Sequence, residues 1–132
     1  RQNRADPVLI KKMFSESVEV CKRKYDIVSQ VELFENFAIA KTQNQDQFTR
    51  IATAQAADEL LAINGVVASF VMCPSGEDIN ISARSFGDVD VQKIMAKLGG
   101  GGHKTAAACQ IKTGDFETVE KRLRAAIKNY IA

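Results

Sequence analysis

The chain has 132 residues, 45% of them hydrophobic and 26% charged, with a formal net charge of +2. That length is enough for one domain with a real core, and the composition is that of an ordinary globular fold. The near-balanced charge excludes a partner dictated by a global field, whether nucleic acid or membrane surface, so any anion site must be local.

Residues 1–6 read as a linker or the end of a preceding domain, and 7–132 as one domain. Asp6-Pro7 starts a helix, with Asp as N-cap and Pro at the first helical position. Phe14, Val18, Cys21, Tyr25 and Val28 then share one helical face. Ser15 and Ser17 leave open whether this is one helix or two. The surplus of Lys and Arg along this stretch reads as a solvated helix face. Residues 31–42 look like a first strand. Phe37 and Ile39 alternate there with Ala38 and Ala40, which suits a sheet covered on both faces. A polar loop follows over 43–47.

Residues 48–63 form a helix with Phe48, Ala52, Ala56, Leu60 and Ile63 on one side, closed by Asn64-Gly65. The apolar, β-branched run 66–73 is a central strand. Residues 74–78 make a turn-forming loop, and 79–85 alternate cleanly. Ile79, Ile81 and Ala83 face one way; Asn80, Ser82 and Arg84 face the other. The two strands make an antiparallel hairpin.

Asp88 or Asp90 caps a helix carrying Val91, Ile94, Met95 and Leu98, which runs out at Gly99. A strand over 106–113 puts Ala107, Cys109 and Ile111 on one face. Gly114-Asp115 ends that strand and caps a last helix with a stripe of Phe116, Val119, Leu123, Ala126, Ile127 and Tyr130. The whole is an α/β fold, a mixed sheet of about four to five strands flanked by helices.

Half of the eight glycines stand together at Gly99-Gly100-Gly101-Gly102. They are followed by the single histidine, His103, and by Lys104. Such a run fits neither a packed helix nor a packed strand. It suits a loop whose successive amides form an anion-binding nest, with two side chains able to carry positive charge beside it. Arg84 and Ser82 share the polar face of a strand one helix away. Together with the loop they would grip a phosphate through a guanidinium, a hydroxyl, an imidazole and backbone amides.

Hydrolysis of a phosphodiester needs more than this, because metal-bound water or a strong base must supply the nucleophile. No His and Asp residues stand at metal-ligand spacing, and Asp88 and Asp90 read as caps. No Ser-His-Asp set, Cys-His set or G-x-x-x-x-G-K-[ST] loop is present. The cysteines, Cys21, Cys73 and Cys109, are far apart and odd in number, so they read as reduced thiols of a cytosolic protein rather than a zinc set. His103 could act as a general acid or an oriented donor to a leaving oxygen. The chain reads as a binding half rather than a complete active site. It opens on Arg1 and carries no signal peptide or run long enough to span a bilayer, and it reads as a piece of something longer.

Gly100-Gly101-Gly102-His103 followed by alanines resembles the GGGH motif of the DHH-associated domain. Ala57 to Leu61, Ser69-Phe70-Val71, Ile81 to Ser85 and Val91 to Met95 support the likeness, which is closest to cyclic-di-AMP phosphodiesterases of the GdpP type. The resemblance implies a parent anchored in the membrane by transmembrane segments, with PAS-like and degenerate GGDEF-like parts. A DHH domain holding two Mn²⁺ ions would precede this one, and homodimers would form through the parent. That enzyme would open cyclic-di-AMP to linear pApA. The present domain, cytoplasmic, free of membrane contact and without a cofactor of its own, would bind substrate. Ser82 and Arg84 would face a phosphate. Gly100, Gly101, Gly102, His103 and Lys104 would face the adjoining nucleotide. Asp90 stands where the family often has Asn, which favours plain capping. Two other readings stay open: the same half of an oligoribonuclease or RecJ-type exonuclease acting on short oligonucleotides, and a nucleic-acid-binding module like the C-terminal part of alanyl-tRNA synthetases.

Overall fold

The structure, a computed structural model, describes residues 6–112 and 115–132. The expected ends of the linker and of the last strand, at residues 1–5, Thr113 and Gly114, lie outside them. Four helices and six strands follow in the order α1 (Pro7–Val28), β1 (Glu32–Phe34), β2 (Phe37–Lys41), α2 (Thr49–Leu60), β3 (Ala68–Ser75), β4 (Asp78–Ser85), α3 (Val91–Ala96), β5 (Gly101–Gly102), β6 (Ala106–Ile111) and α4 (Phe116–Ile131). The strands form one mixed sheet in the order β1-β2-β3-β4-β6-β5. Only β2 and β3 run parallel, joined by the crossover helix α2.

The alternation of the strands sorts the core into two layers. Phe37, Ile39, Phe70, Met72, Ile79, Ile81, Ala83, Cys109 and Ile111 meet α3 and α4 on one face. Ala38, Ala40 and Val71 meet α2 on the other, where Ala52, Ala56, Ala57 and Leu60 let the helix lie close. Ser69 Oγ donates to Ala57 O at 2.5 Å across that layer. The hairpin β3–β4 turns in two residues, since Ser75 already pairs with Asp78.

Three expectations need correction. The first strand is two: Glu35, at φ 58, turns the chain between β1 and β2, so Glu32 pairs back on Ile39. The glycine run is not merely a loop. Gly101 and Gly102 pair with Ala108 and Ala107 as β5, which with the divided first strand brings the count to six. α1 is one uninterrupted helix, and its packed side carries Val20 and Ile27, while Phe14, Cys21 and Tyr25 are exposed. It packs mainly on α2, so its buried face answers to a helix groove rather than to the sheet. Arg23 ties it there, donating from Nε and Nη2 to Asp46 at 2.9 and 2.7 Å.

Candidate functional site

β4 and β6 extend beyond the cover of α2, so their second face is left as the floor of a groove. Asn80, Ser82 and Arg84 lie on that face of β4, opposite the buried Ile79, Ile81 and Ala83. Their partners on β6 are Gln110, Ala108 and Ala106. Arg50 and Thr53 of α2 form one wall, and Gly100 closes the far side around a cavity of about 400 Å³. A larger concavity of about 510 Å³ lies between α1 and α2, lined by Met13, Phe48 and Ile51. Among the described residues its one charged lining group is Glu16, which repels a phosphate.

Arg84 is held in place from below. Its Nη1 donates to Ala83 O at 2.9 Å, and Nε stands 3.5 Å from Asp58 of α2. Nη2 makes no such contact, which leaves one donor edge of the guanidinium free among the described residues. Ser82 Oγ, the His103 imidazole and the Lys104 ammonium likewise have no partner among the described residues.

The glycine run reaches this groove because of how α3 ends. Asp90 caps that helix, accepting from Gln92 and Lys93 N–H. Gly99 (φ +87) then turns the chain: its N–H donates to Ala96 O, and Gly100 N–H donates to Met95 O at 2.8 Å. This paired stop is a Schellman motif. Beyond it the chain lies against β6. A Cβ on Gly100 would stand 2.2 Å from Ala108 O, and one on Gly102 would stand 2.6 Å from Ala107 Cα. No side chain fits at either position. Gly101 is different, since its Cβ would meet nothing within 4 Å.

A tight turn follows. His103 N–H donates to Ala106 O at 2.7 Å, and Ala106 pairs with Arg84. His103, Ala106 and Arg84 therefore occupy one rung across three strands, their backbones at the ends roughly 10 Å apart. Lys104 O accepts from Val91 N–H at 3.0 Å and from the buried Ser85 hydroxyl at 3.2 Å, which pins the turn to β4 and α3. Of the amides the sequence offered to an anion, those of Gly99, Gly100 and His103 are thus engaged within the chain. The run supplies a close-lying edge rather than a continuous nest.

Ser82 and Gly100 line this groove, whereas Arg84 and the His103–Lys104 turn do not line it but sit on the adjoining rung of the sheet, although α3 separates them from one another in sequence. Sequence reasoning missed Arg50 and Thr53, which only the packing of α2 brings to the wall. Asn80 and Gln110 were visible as members of polar strand faces, but nothing marked them as groove residues. Cys73 also lines the groove; burial pushes its thiol up, with the Thr53 hydroxyl and the Arg50 charge pulling the other way. Cys109 is pushed up to about 11, again by burial. Among the described residues no three His, Cys, Asp or Glu side chains gather as a metal set, and no helix is long and apolar enough to cross a membrane.

A mixed sheet sandwiched by helices, with a glycine-edged groove beside an arginine, makes this an α/β domain of the kind that follows from the strand order. Residues 28–132 match the family model for the DHHA1 domain, and the chain belongs to that family. It is 42% identical over 132 residues to the cyclic-di-AMP phosphodiesterase GdpP of Geobacillus thermodenitrificans, covering 98% of this chain and 20% of that protein. It is 39% identical to the cyclic-di-AMP phosphodiesterase PdeA of Listeria monocytogenes, covering 96% and 20%. The chain thus spans about a fifth of the length of these relatives. Its fold resembles that of an exopolyphosphatase-related protein from Bacteroides fragilis, with a TM-score of 0.75 at 23% identity over 84% of this chain and 34% of that one.

Proposed function

We propose that this domain binds the substrate of a cyclic-di-AMP phosphodiesterase and presents it to a metal-bearing DHH domain elsewhere in the same parent. The observation that carries the reading is the sharing of one sheet rung by Arg84 and His103, next to a groove lined by Ser82 and Gly100, with the side chains of Ser82, His103 and Lys104 unpartnered among the described residues. Arg84 and Ser82 take the oxygens of one phosphate. Gly101, His103 and Lys104 meet the nucleotide beside the scissile bond, where His103 assists as donor. The identity to two cyclic-di-AMP phosphodiesterases over nearly the whole chain supports this substrate over short oligonucleotides or transfer RNA. So does a net charge of only +2, which gives little general attraction for nucleic acid.

The parent is membrane-anchored, with this domain on the cytoplasmic side, and works as a homodimer. Its Mn²⁺ ions belong to the DHH half, which supplies the activated water. The chain alone therefore gives no hydrolysis of cyclic-di-AMP with Mn²⁺ present. It binds pApA weakly, and calorimetry shows Arg84→Ala and His103→Ala each losing about 1.5–3 kcal/mol, the worth of one charge-assisted hydrogen bond. Wild-type affinity in both variants, or turnover by the chain alone, would overturn the assignment.

A further inference from the structure

α1 is nearly twice as long as the helix it packs on. Its 22 residues span roughly 33 Å, against about 18 Å for the 12 residues of α2. Burial follows that mismatch. Val20 and Ile27 are buried, whereas every residue from Asp6 to Ser17 is exposed. Met13, Val20 and Ile27 stand seven apart on one face, so the apolar stripe that α2 covers runs on uncovered toward the start of the helix. Leu9, Ile10, Met13 and Phe14 are 51% to 69% exposed there, and Ile51 of α2 is 54% exposed beside them. The family match begins at residue 28, so this half of α1 is no part of the matched unit. The similarity to GdpP, which extends over 98% of this chain, nevertheless includes it.

That face carries both a ridge and a hollow. Leu9, Ile10 and Phe14 form the ridge. The cavity of about 510 Å³ between α1 and α2, lined by Met13, Val20, Phe48 and Ile51, is the hollow. A patch that holds both knob and hole is what a two-fold interface requires, because each copy offers the other the same surface. The charges agree. Lys22 and Arg23 of α1 pair with Glu19 and Asp46. Lys12 and Glu16, four apart on one flank of the apolar face, form no ion pair among the described residues. Two antiparallel copies of α1 crossing at Phe14 bring residue 12 of each opposite residue 16 of the other. The five exposed apolar side chains, with the stems of Lys12 and Glu16 around them, cover roughly 500–600 Å² per copy. The pair then buries about 1,000–1,200 Å², the lower end for a specific interface.

We infer that two copies of this chain pair through the first half of α1, antiparallel and crossing at Phe14. Leu9 and Ile10 of each copy seat in the α1–α2 hollow of the other, and Lys12 of each meets Glu16 of the other. The inference gives the dimer proposed for the parent a surface in this chain, and it does not rest on the nucleotide reading of the Ser82–Arg84 site.

Sedimentation equilibrium of the whole chain, up to millimolar concentration, tests it. The wild type dimerises within that range. Phe14 is exposed, so Phe14→Asp leaves the fold intact, and it weakens the dimer about tenfold or more through lost apolar burial. Lys12→Glu and Glu16→Lys each weaken it about three- to tenfold, because each sets like charges across the interface twice. An equal mixture of these two variants dimerises as tightly as wild type, since every charged contact in the mixed pair is again between opposite signs. An effect of Lys12 and Glu16 within one chain gives no such rescue. A wild-type chain that stays monomeric at millimolar concentration overturns the inference, and the apolar face then belongs against another part of the parent. A dimer indifferent to Phe14→Asp overturns it too, as does a mixture no tighter than its components. Calorimetry with pApA on the same samples reads the nucleotide site separately, and Phe14→Asp leaves that affinity within about twofold of wild type.

Discussion

Gly99 ends α3 at φ +87, Gly100 and Gly102 lie where a Cβ would strike β6, and Gly101 has open space beside it. Alanine should separate these roles. Gly100→Ala forces a methyl against backbone and costs about 1–3 kcal/mol or more in urea unfolding. Gly101→Ala stays within about 0.5 kcal/mol of wild type, yet it weakens pApA binding, because the backbone there can no longer lie close to a ligand. Equal stability losses at both positions would show that Gly101 is structural too. The thiols give a second check. Cys73 and Cys109 are buried and pushed up, so at neutral pH they stay protonated. A thiol reagent at pH 8 should modify the exposed Cys21 first and reach the other two only on unfolding. At this scale the sequence was informative about chemistry: an isolated imidazole after glycines, and an arginine on a polar strand face. It could not reveal which glycine amides the fold would use itself, since those bonds depend on how α3 stops.

At the scale of elements, α1 is fastened to the rest by charge as well as packing. The Arg23 guanidinium holds the Asp46 carboxyl below its ordinary value near 3.8. Stability contributed by that ionised carboxylate is therefore present above pH 4 and is lost as pH falls through the lowered value. Asp46→Asn keeps an acceptor for the Phe48 N–H and removes the charge. Its melting temperature should fall below wild type at pH 7 and converge with it in strong acid. A constant gap at every pH would remove the ion pair as the cause.

Asp90 gives a second test, since α3 is six residues long and leans on its cap. Asp90→Ala should cost about 0.5–2 kcal/mol. The strands with period-two alternation, β4 and β6, were legible because one face had to be apolar. The division of β1 from β2 was not, because Glu35-Asn36 lacks the glycine or proline that usually announces a turn. β5 was hidden for another reason: glycine has no strand preference, and its pairing is supplied by β6 across the sheet. The buried face of α1 was misplaced because a neighbouring helix, not the sheet, decides it.

At the scale of the molecule, the order β4-β6-β5 matters most. It puts a histidine turn and an arginine on one rung while an entire helix separates them in sequence. The sheet is covered on both faces except where α2 stops short, and the groove is that exposed remainder. Sequence could give the two motifs but not the strand order that joins them, and it gave no sign of Arg50.

The most direct test is an NMR titration of the ¹⁵N-labelled chain with pApA. The account predicts shifts along β4 from Ser82 to Arg84 and through Gly101–Lys104, with the α3–α4 face and the first half of α1 unmoved. Shifts confined to those outer surfaces, or none at millimolar ligand, would contradict it.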